Sequence, residues 1–217
     1  MIVRQDDGAA IVMVVMATGL VAALSVSLLL NASSDVIVAA AFRSQREGFY
    51  AADAMIERAM AELADAPDWA AVAAGLMQSS FVDGPPGIRT LDDGTAIDLA
   101  ETINMASCLK RSACAVSDLH AVTPARPWGA NNPEWRLYAH GWLRDMLPAG
   151  AGGLPWYLVL MAAAHPSRIG NAIIIRAEAF GPRAAHNVIE LEAARGDDDN
   201  DYNDGIPPRI LSWREVR

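Results

Sequence analysis

The polar and apolar positions divide this chain of 217 residues into two regimes. From Gly8 to Ser34 no residue carries a charge, and residues 9–30 read AAIVMVVMATGLVAALSVSLLL. The only hydroxyls in that run are Thr18, Ser25 and Ser27, which a helix accommodates by bonding them back to its own carbonyls. A helix over residues 9–30 rises roughly 33 Å, about the thickness of a bilayer's hydrocarbon core. A core helix of a chain this size would show a polar face, and a cleaved secretory signal has an apolar region of only about 7–15 residues. The pattern predicts a membrane-crossing helix.

A short polar patch, Asn31 to Asp35, follows, and then apolar residues return at Phe42, Phe49, Ala52, Ile56, Met60 and Leu63. Intervals of three, four and seven place them on one helical face. Arg43, Gln45, Arg46, Asp53, Glu57, Arg58 and Glu62 occupy the other, and Pro67 and Asp68 end the run. The reading is one long helix over residues 9–65, apolar all round at first and amphipathic afterwards.

Turn signals at residues 84–87 (GPPG) and 92–94 (DDG) mark a loop-rich middle. A short helix is expected over Asp68–Met77, and a strand followed by irregular chain over Thr95–Met105. GAGGL at 150–154 reads as a flexible turn. From residue 134 onward the pattern is that of strands. EWRLYAHGWLR alternates, PWYLVLMAAAH is a continuous apolar run, AIIIRAEAFG and HNVIELEAA flank a turn at Gly181, Pro182 and Arg183, and ILSWREV forms a fifth. Successive strands with tight connections imply an antiparallel sheet. The expected fold class is α+β: a leader at 1–8, the helix at 9–65 with its transmembrane half at about 9–30, and a globular head at 66–217 whose sheet covers the amphipathic half of the helix.

Composition agrees: 53% of residues are hydrophobic and mean hydropathy is +0.17, with much of the excess before residue 65. The net charge of -9, a pI near 4.8 and a single lysine, Lys110, exclude a phosphate-binding surface for nucleic acid. The two cysteines, Cys108 and Cys114, read either as buried or free thiols or as a small disulfide loop, the latter where this segment lies outside the cytoplasm. As a pair they fall short of a metal site.

His120, His140, His165 and His186 stand in no metal-ligand or catalytic spacing, and no nucleophile elbow or phosphate loop occurs. No catalytic residue, enzymatic activity or small-molecule substrate is expected. The acidic segment GDDDNDYNDG, residues 196–205, sets hard oxygen donors at alternate positions. Asp197, Asp199, Asp201, Asn203 and Asp204 are candidate Ca²⁺ ligands, although Asp204 and Ile210 stand where an EF-hand loop needs Gly and Glu; the alternative is a solvated acidic loop. The tryptophans (Trp69, Trp128, Trp135, Trp142, Trp156, Trp213) fit either core packing or a sugar-binding platform.

The leader MIVRQDDG, ending in Gly8 before the apolar run, together with EGFYAADAMIERAMAEL at 47–63, resembles the N-terminal region of PilX-like minor pilins of type IV pili. RPWGANNPEWRLYAHG at 126–141 and AIIIRAEAFGPRAAHNVIELEAAR at 172–195 look, more loosely, like their later part. The resemblance implies processing by a prepilin peptidase between Gly8 and Ala9. It also implies a single-pass anchor in a bacterial inner membrane, a periplasmic head, and major and minor pilins as partners. Major pilins carry a Glu at the fifth mature position; here that position is Met13, which points to a minor subunit in pilus assembly. A membrane-anchored surface binding module, such as a tip adhesin with or without calcium, is the alternative function. A plain signal anchor holding an unrelated domain, or a membrane-anchored enzyme, stands behind these.

Overall fold

The computed structural model describes residues 6–148, 154–168, 170–195 and 207–216, and the side chains from residue 9 onward. Two compact units, Met1–Ser44 and Gln45–Arg217, are described in turn.

Helix α1 spans Asp6–Asp65 and so begins ahead of Ala9. In the first unit every side chain from Ala9 to Arg43 is exposed. Thr18 Oγ1 donates to the Val14 carbonyl at 2.9 Å, Ser25 Oγ to Val21 at 2.8 Å and Ser34 Oγ to Leu30 at 3.1 Å. These hydroxyls are satisfied inside the helix, as an apolar surrounding requires.

In the second unit the remaining turns of α1 bury Gly48, Ala51, Ala52, Met55, Ile56, Ala59 and Leu63. The expected stripe is correct for Ala52, Ile56 and Leu63. Phe49 and Met60 flank it half-buried, and Phe42, expected on it, is 58% exposed. Gly48, Ala51, Ala52 and Ala59 let the helix close on the sheet, and Met55, Ile56 and Leu63 fill the core beside them. Glu62 adds a polar tie by accepting from the Tyr138 hydroxyl at 3.2 Å.

Helix α2 (Trp69–Ala73) is shorter than the expected 68–77. Asp68 caps it, its Oδ1 accepting from the backbone N–H of Ala70 at 2.8 Å and of Ala71 at 3.2 Å. The Trp69 indole donates to the Leu63 carbonyl at 2.9 Å, fixing the bend after α1. Strands β1 (Ile88–Thr90) and β2 (Ala96–Asp98) form a small antiparallel pair. Helix α3 (Leu99–Cys108) then replaces the expected irregular chain. Asp98 ends the strand and caps this helix, accepting from Ala100 N–H at 2.9 Å. A single aspartate thus switches the chain from period two to period 3.6.

After α4 (Val116–Leu119) come β3 (Arg136–Trp142), α5 (Leu143–Met146), β4 (Tyr157–Ala164), β5 (Ala172–Gly181), β6 (Ala185–Ala194) and β7 (Arg209–Val216). The five strands form one antiparallel meander in the order β3-β4-β5-β6-β7. The edge of β3 is covered by residues 79–83, with Ser79 N–H donating to Tyr138 O at 2.9 Å and His140 N–H to Phe81 O at 3.1 Å.

Both faces of the sheet are buried over β4 and the centre of β5 and β6, while the edge strand β7 is largely exposed. Leu158, Leu160, Ile173, Ile175, Ile189 and Leu191 meet α1 and α2 on the first face. Tyr157, Val159, Met161 and Ile174 on the second face meet Leu91, Ile97, Leu99, Ala106 and Trp135. Two-sided cover explains why β4 reads as a continuous apolar run rather than an alternating one. The β5–β6 turn is displaced from the expected Gly181–Arg183. Gly181 is extended (φ −127°) and still paired with Ala185. The left-handed residues are Arg183 (φ 59°) and Ala184 (φ 57°).

Candidate functional site

Among the described residues, the apolar run of α1 is a long exposed hydrophobic surface. Six consecutive residues, Ile11 to Met16, are 54–71% exposed, so no side of the helix is covered within its own unit. The helix is long and apolar enough to cross a membrane, with mean hydropathy 2.4 in its most apolar window. Met13 is 71% exposed on this surface. Gly8 and Ala9 lie within the first turns of α1. An exposed apolar cylinder of this kind is stable in lipid or against other apolar helices, and not in water.

Cys108 and Cys114 are joined in a disulfide with Cα atoms 6.0 Å apart. The bond closes the chain after α3, whose C-cap Leu109 adopts a left-handed conformation (φ 62°). Within the loop Lys110 pairs with Asp118 at 2.5 Å, and that hydrogen bond, with the backbone N–H of Ala115, holds the Asp118 carboxyl below its usual range. Of the two readings open for the cysteines, the disulfide is the one realised.

The second face of the sheet carries a row of charges across β5, β6 and β7. Arg176 Nε meets Glu178 Oε1 at 2.6 Å and Arg176 Nη1 meets Glu190 Oε1 at 2.6 Å. His186 Nε2 lies 2.8 Å from Glu178 Oε2, and Arg214 Nε donates to Glu190 Oε2 at 2.8 Å. Burial acts to raise the Glu178 carboxyl, but the hydrogen bond from His186 and the charge of Arg176 outweigh it and the pKa is lowered. Burial likewise opposes the charge of Arg176, and Glu178 and Glu190 more than restore it. Each buried charge is therefore paired. The signal was present in the sequence as R-x-E in AIIIRAEAFG and E-x-E in VIELEAA, alternate positions that share one face.

The four histidines are dispersed. His120 is exposed, His165 stands 3.9 Å from Glu192, and His186 stacks on Phe180 at 4.4 Å. His140 is fully buried, its Nδ1 2.9 Å from the Tyr157 hydroxyl. Burial lowers the His140 imidazole and raises the Tyr157 phenol to about 12. Trp69, Trp135 and Trp156 are core residues, Trp142 is half-buried, and Trp128 and Trp213 are 48% and 44% exposed.

The calcium candidates Asp197, Asp199, Asp201, Asn203 and Asp204 lie outside the described residues, as do residues 150–153 of the expected glycine-rich turn. Among the described residues no cluster of three or more His, Cys, Asp or Glu side chains is placed to hold a metal ion. Comparison of the chain with protein-family models, with characterised proteins and with solved structures finds no match.

Proposed function

We propose that this chain is a minor pilin-like structural subunit that takes part in type IV pilus assembly. The observation that carries the reading is helix α1, which exposes an apolar surface on all sides over its first turns and builds its last turns into an α+β head. Residues 9–30 hold the subunit in the inner membrane before assembly. In an assembled bundle they pack against the equivalent helices of other major and minor pilins. In water, burying that surface is worth about 25 cal/mol per Å². Between lipid and a helix bundle that term largely vanishes, and close packing at Gly19 and the alanines takes its place.

The Cys108–Cys114 disulfide supports a head in an oxidising compartment, the periplasm, with the N-terminus on the cytoplasmic side. Met13 supports a minor rather than a main filament subunit, since an apolar bundle accepts methionine without a partner whereas a carboxylate there requires one. A prepilin peptidase removes the leader at Gly8–Ala9. The subunit's work is assembly, and no reaction is assigned to it.

The test is to express the full chain with and without an active prepilin peptidase and to weigh the N-terminus by mass spectrometry. Cleavage after Gly8 only in the presence of the peptidase is the expected result. A leader that stays on beside an active enzyme ends the pilin reading.

A further inference from the structure

A small pocket of about 180 Å³ opens on the second face of the sheet where α3 and the β1–β2 pair no longer cover it. Its apolar part is Ile174, Pro133 and Pro166, and Trp128 stands in its wall. The indole is 48% exposed although the loop that carries it is tightly braced. Arg126, buried in that loop, donates to the carbonyls of Asp118 and Leu119 at 3.2 Å each. Asn132, also buried, donates to Leu119 O at 3.0 Å and Ala121 O at 2.9 Å, and its Oδ1 accepts from the Trp128 N–H at 3.1 Å. Two buried polar side chains thus hold the backbone of an exposed aromatic residue in place. Such rigidity lowers the ordering cost of binding.

The chemistry of the remaining wall limits the ligand. Glu190 is already neutralised by Arg176 and Arg214, so it offers no net charge to an ion. Glu192, Ser212 and Asn131 add a carboxylate, a hydroxyl and an amide around the same opening. Among the described residues Arg214 is the one cation in the wall, and both donors and acceptors are present. An aromatic plate beside a carboxylate, a hydroxyl, an amide and the Arg214 guanidinium, with Glu192 met among those residues only by His165 at 3.9 Å and so open as an acceptor, matches a ring with an apolar C–H face and a rim of hydroxyls and disfavours an anion. The volume lies below the roughly 300–1,000 Å³ that enclose a drug-sized ligand, which restricts the pocket to one such ring.

We propose that the Trp128 pocket binds a single neutral hexopyranose unit of a glycan, with the sugar's C–H face on the indole and its hydroxyls on Glu192, Ser212 and Asn131. This goes beyond the assembly role and is independent of it. The pocket belongs to the head alone, so a leader left uncleaved says nothing about the sugar, and a sugar that fails to bind says nothing about processing.

The test uses the full chain in zwitterionic-detergent micelles, which present no sugar headgroup. The probes are the methyl glycosides of glucose, galactose, mannose and N-acetylglucosamine, with N-acetylneuraminic acid as the charged comparison, read by saturation-transfer NMR and tryptophan fluorescence. At least one neutral glycoside is expected to bind, with saturation concentrated on one face of its ring. Trp128→Ala should weaken that binding at least tenfold and Glu192→Gln severalfold. Trp213→Ala, an exposed indole on the first face beside Phe49, should leave it unchanged. If Trp128→Ala lowers the melting temperature, Glu192→Gln alone decides: weakened binding supports the proposal and full retention overturns it. Binding of none of the four glycosides overturns it, as does undiminished binding in a folded Trp128→Ala, or preference for N-acetylneuraminic acid over every neutral ring.

Discussion

The indole of Trp156 occupies the space in which a Cβ at Gly48 would have to sit: that atom would lie 2.5 Å from Trp156 Cη2 and 2.1 Å from Asn187 Nδ2. Gly181 meets the same ring from β5, with its would-be Cβ 2.6 Å from Cζ3. A fully buried tryptophan is thus clasped between a helix glycine and a strand glycine. Gly48→Ala adds about 1 kcal/mol of helix propensity but forces a rigid ring to move, an overpacking cost of about 1–3 kcal/mol. The variant, like Gly181→Ala, is expected to lower head stability in chemical denaturation. Gly19→Ala, with nothing within 4 Å in this structure, is the control that leaves the same transition unmoved.

The β5–β6 turn runs through two successive left-handed residues, Arg183 and Ala184, neither of them glycine. The loop between the paired Gly181 and Ala185 has three residues, and at its two left-handed positions an L side chain crowds the carbonyl whereas glycine does not. Ala184→Gly is expected to stabilise the head by about 1 kcal/mol. Arg183→Asn should be tolerated, since it is the backbone N–H of residue 183 that donates to Asp93 Oδ2 at 2.6 Å. A shift of the denaturation midpoint to higher denaturant checks the first, and an unchanged or raised midpoint the second.

The disulfide closes a short loop, and by chain entropy a loop of this size contributes about 2 kcal/mol. Cys108→Ser with Cys114→Ser, or reduction, should lower head stability by that order and leave the sheet's far-ultraviolet signal in place. The pair lies outside the meander: α3 and the loop after it bear the loss. Denaturation with and without reductant is the measurement.

His140 gives the head a pH dependence with a definite sign. Burial depresses its imidazole below the ordinary value of 6.5, so the folded state holds it neutral while the unfolded state takes up a proton near that value. The unfolded chain therefore binds more protons, and stability falls as pH drops below about 6.5. Glu178, whose carboxyl is depressed from 4.5, adds a separate loss at lower pH as it becomes protonated. Melting temperature against pH should show the upper step in the wild type and not in His140→Gln, with the acid step present in both.

The meander was legible because each strand announces itself locally, in LVLMAAA, AIIIRAEAFG and VIELEAA, by apolar and β-branched content between turn signals. Helix α3 was not legible as helix: its start depends on Asp98 acting both as the last residue of β2 and as a cap, and the β signal before it masked the change of period. The face that α1 turns to the sheet was displaced for a similar reason. Large residues drew the stripe toward Phe42 and Phe49, whereas close packing added Gly48, Ala51, Met55 and Ala59 to the expected Ala52, Ile56 and Leu63.

What the sequence determined by itself is the apolar helix and the α+β class. A run without charge from Gly8 to Ser34 has no low-energy state except one in which the backbone bonds internally, and that requirement is local. The tertiary structure alone decided which distant residues meet: Gly48 and Gly181 on Trp156, Arg176 on Glu190, Tyr138 on Glu62, and Trp128 beside Ile174 and Ser212 in the wall of a pocket. These depend on strand register and on how closely a helix approaches a sheet. Both follow from packing summed over the whole core, and no short stretch of sequence carries that information.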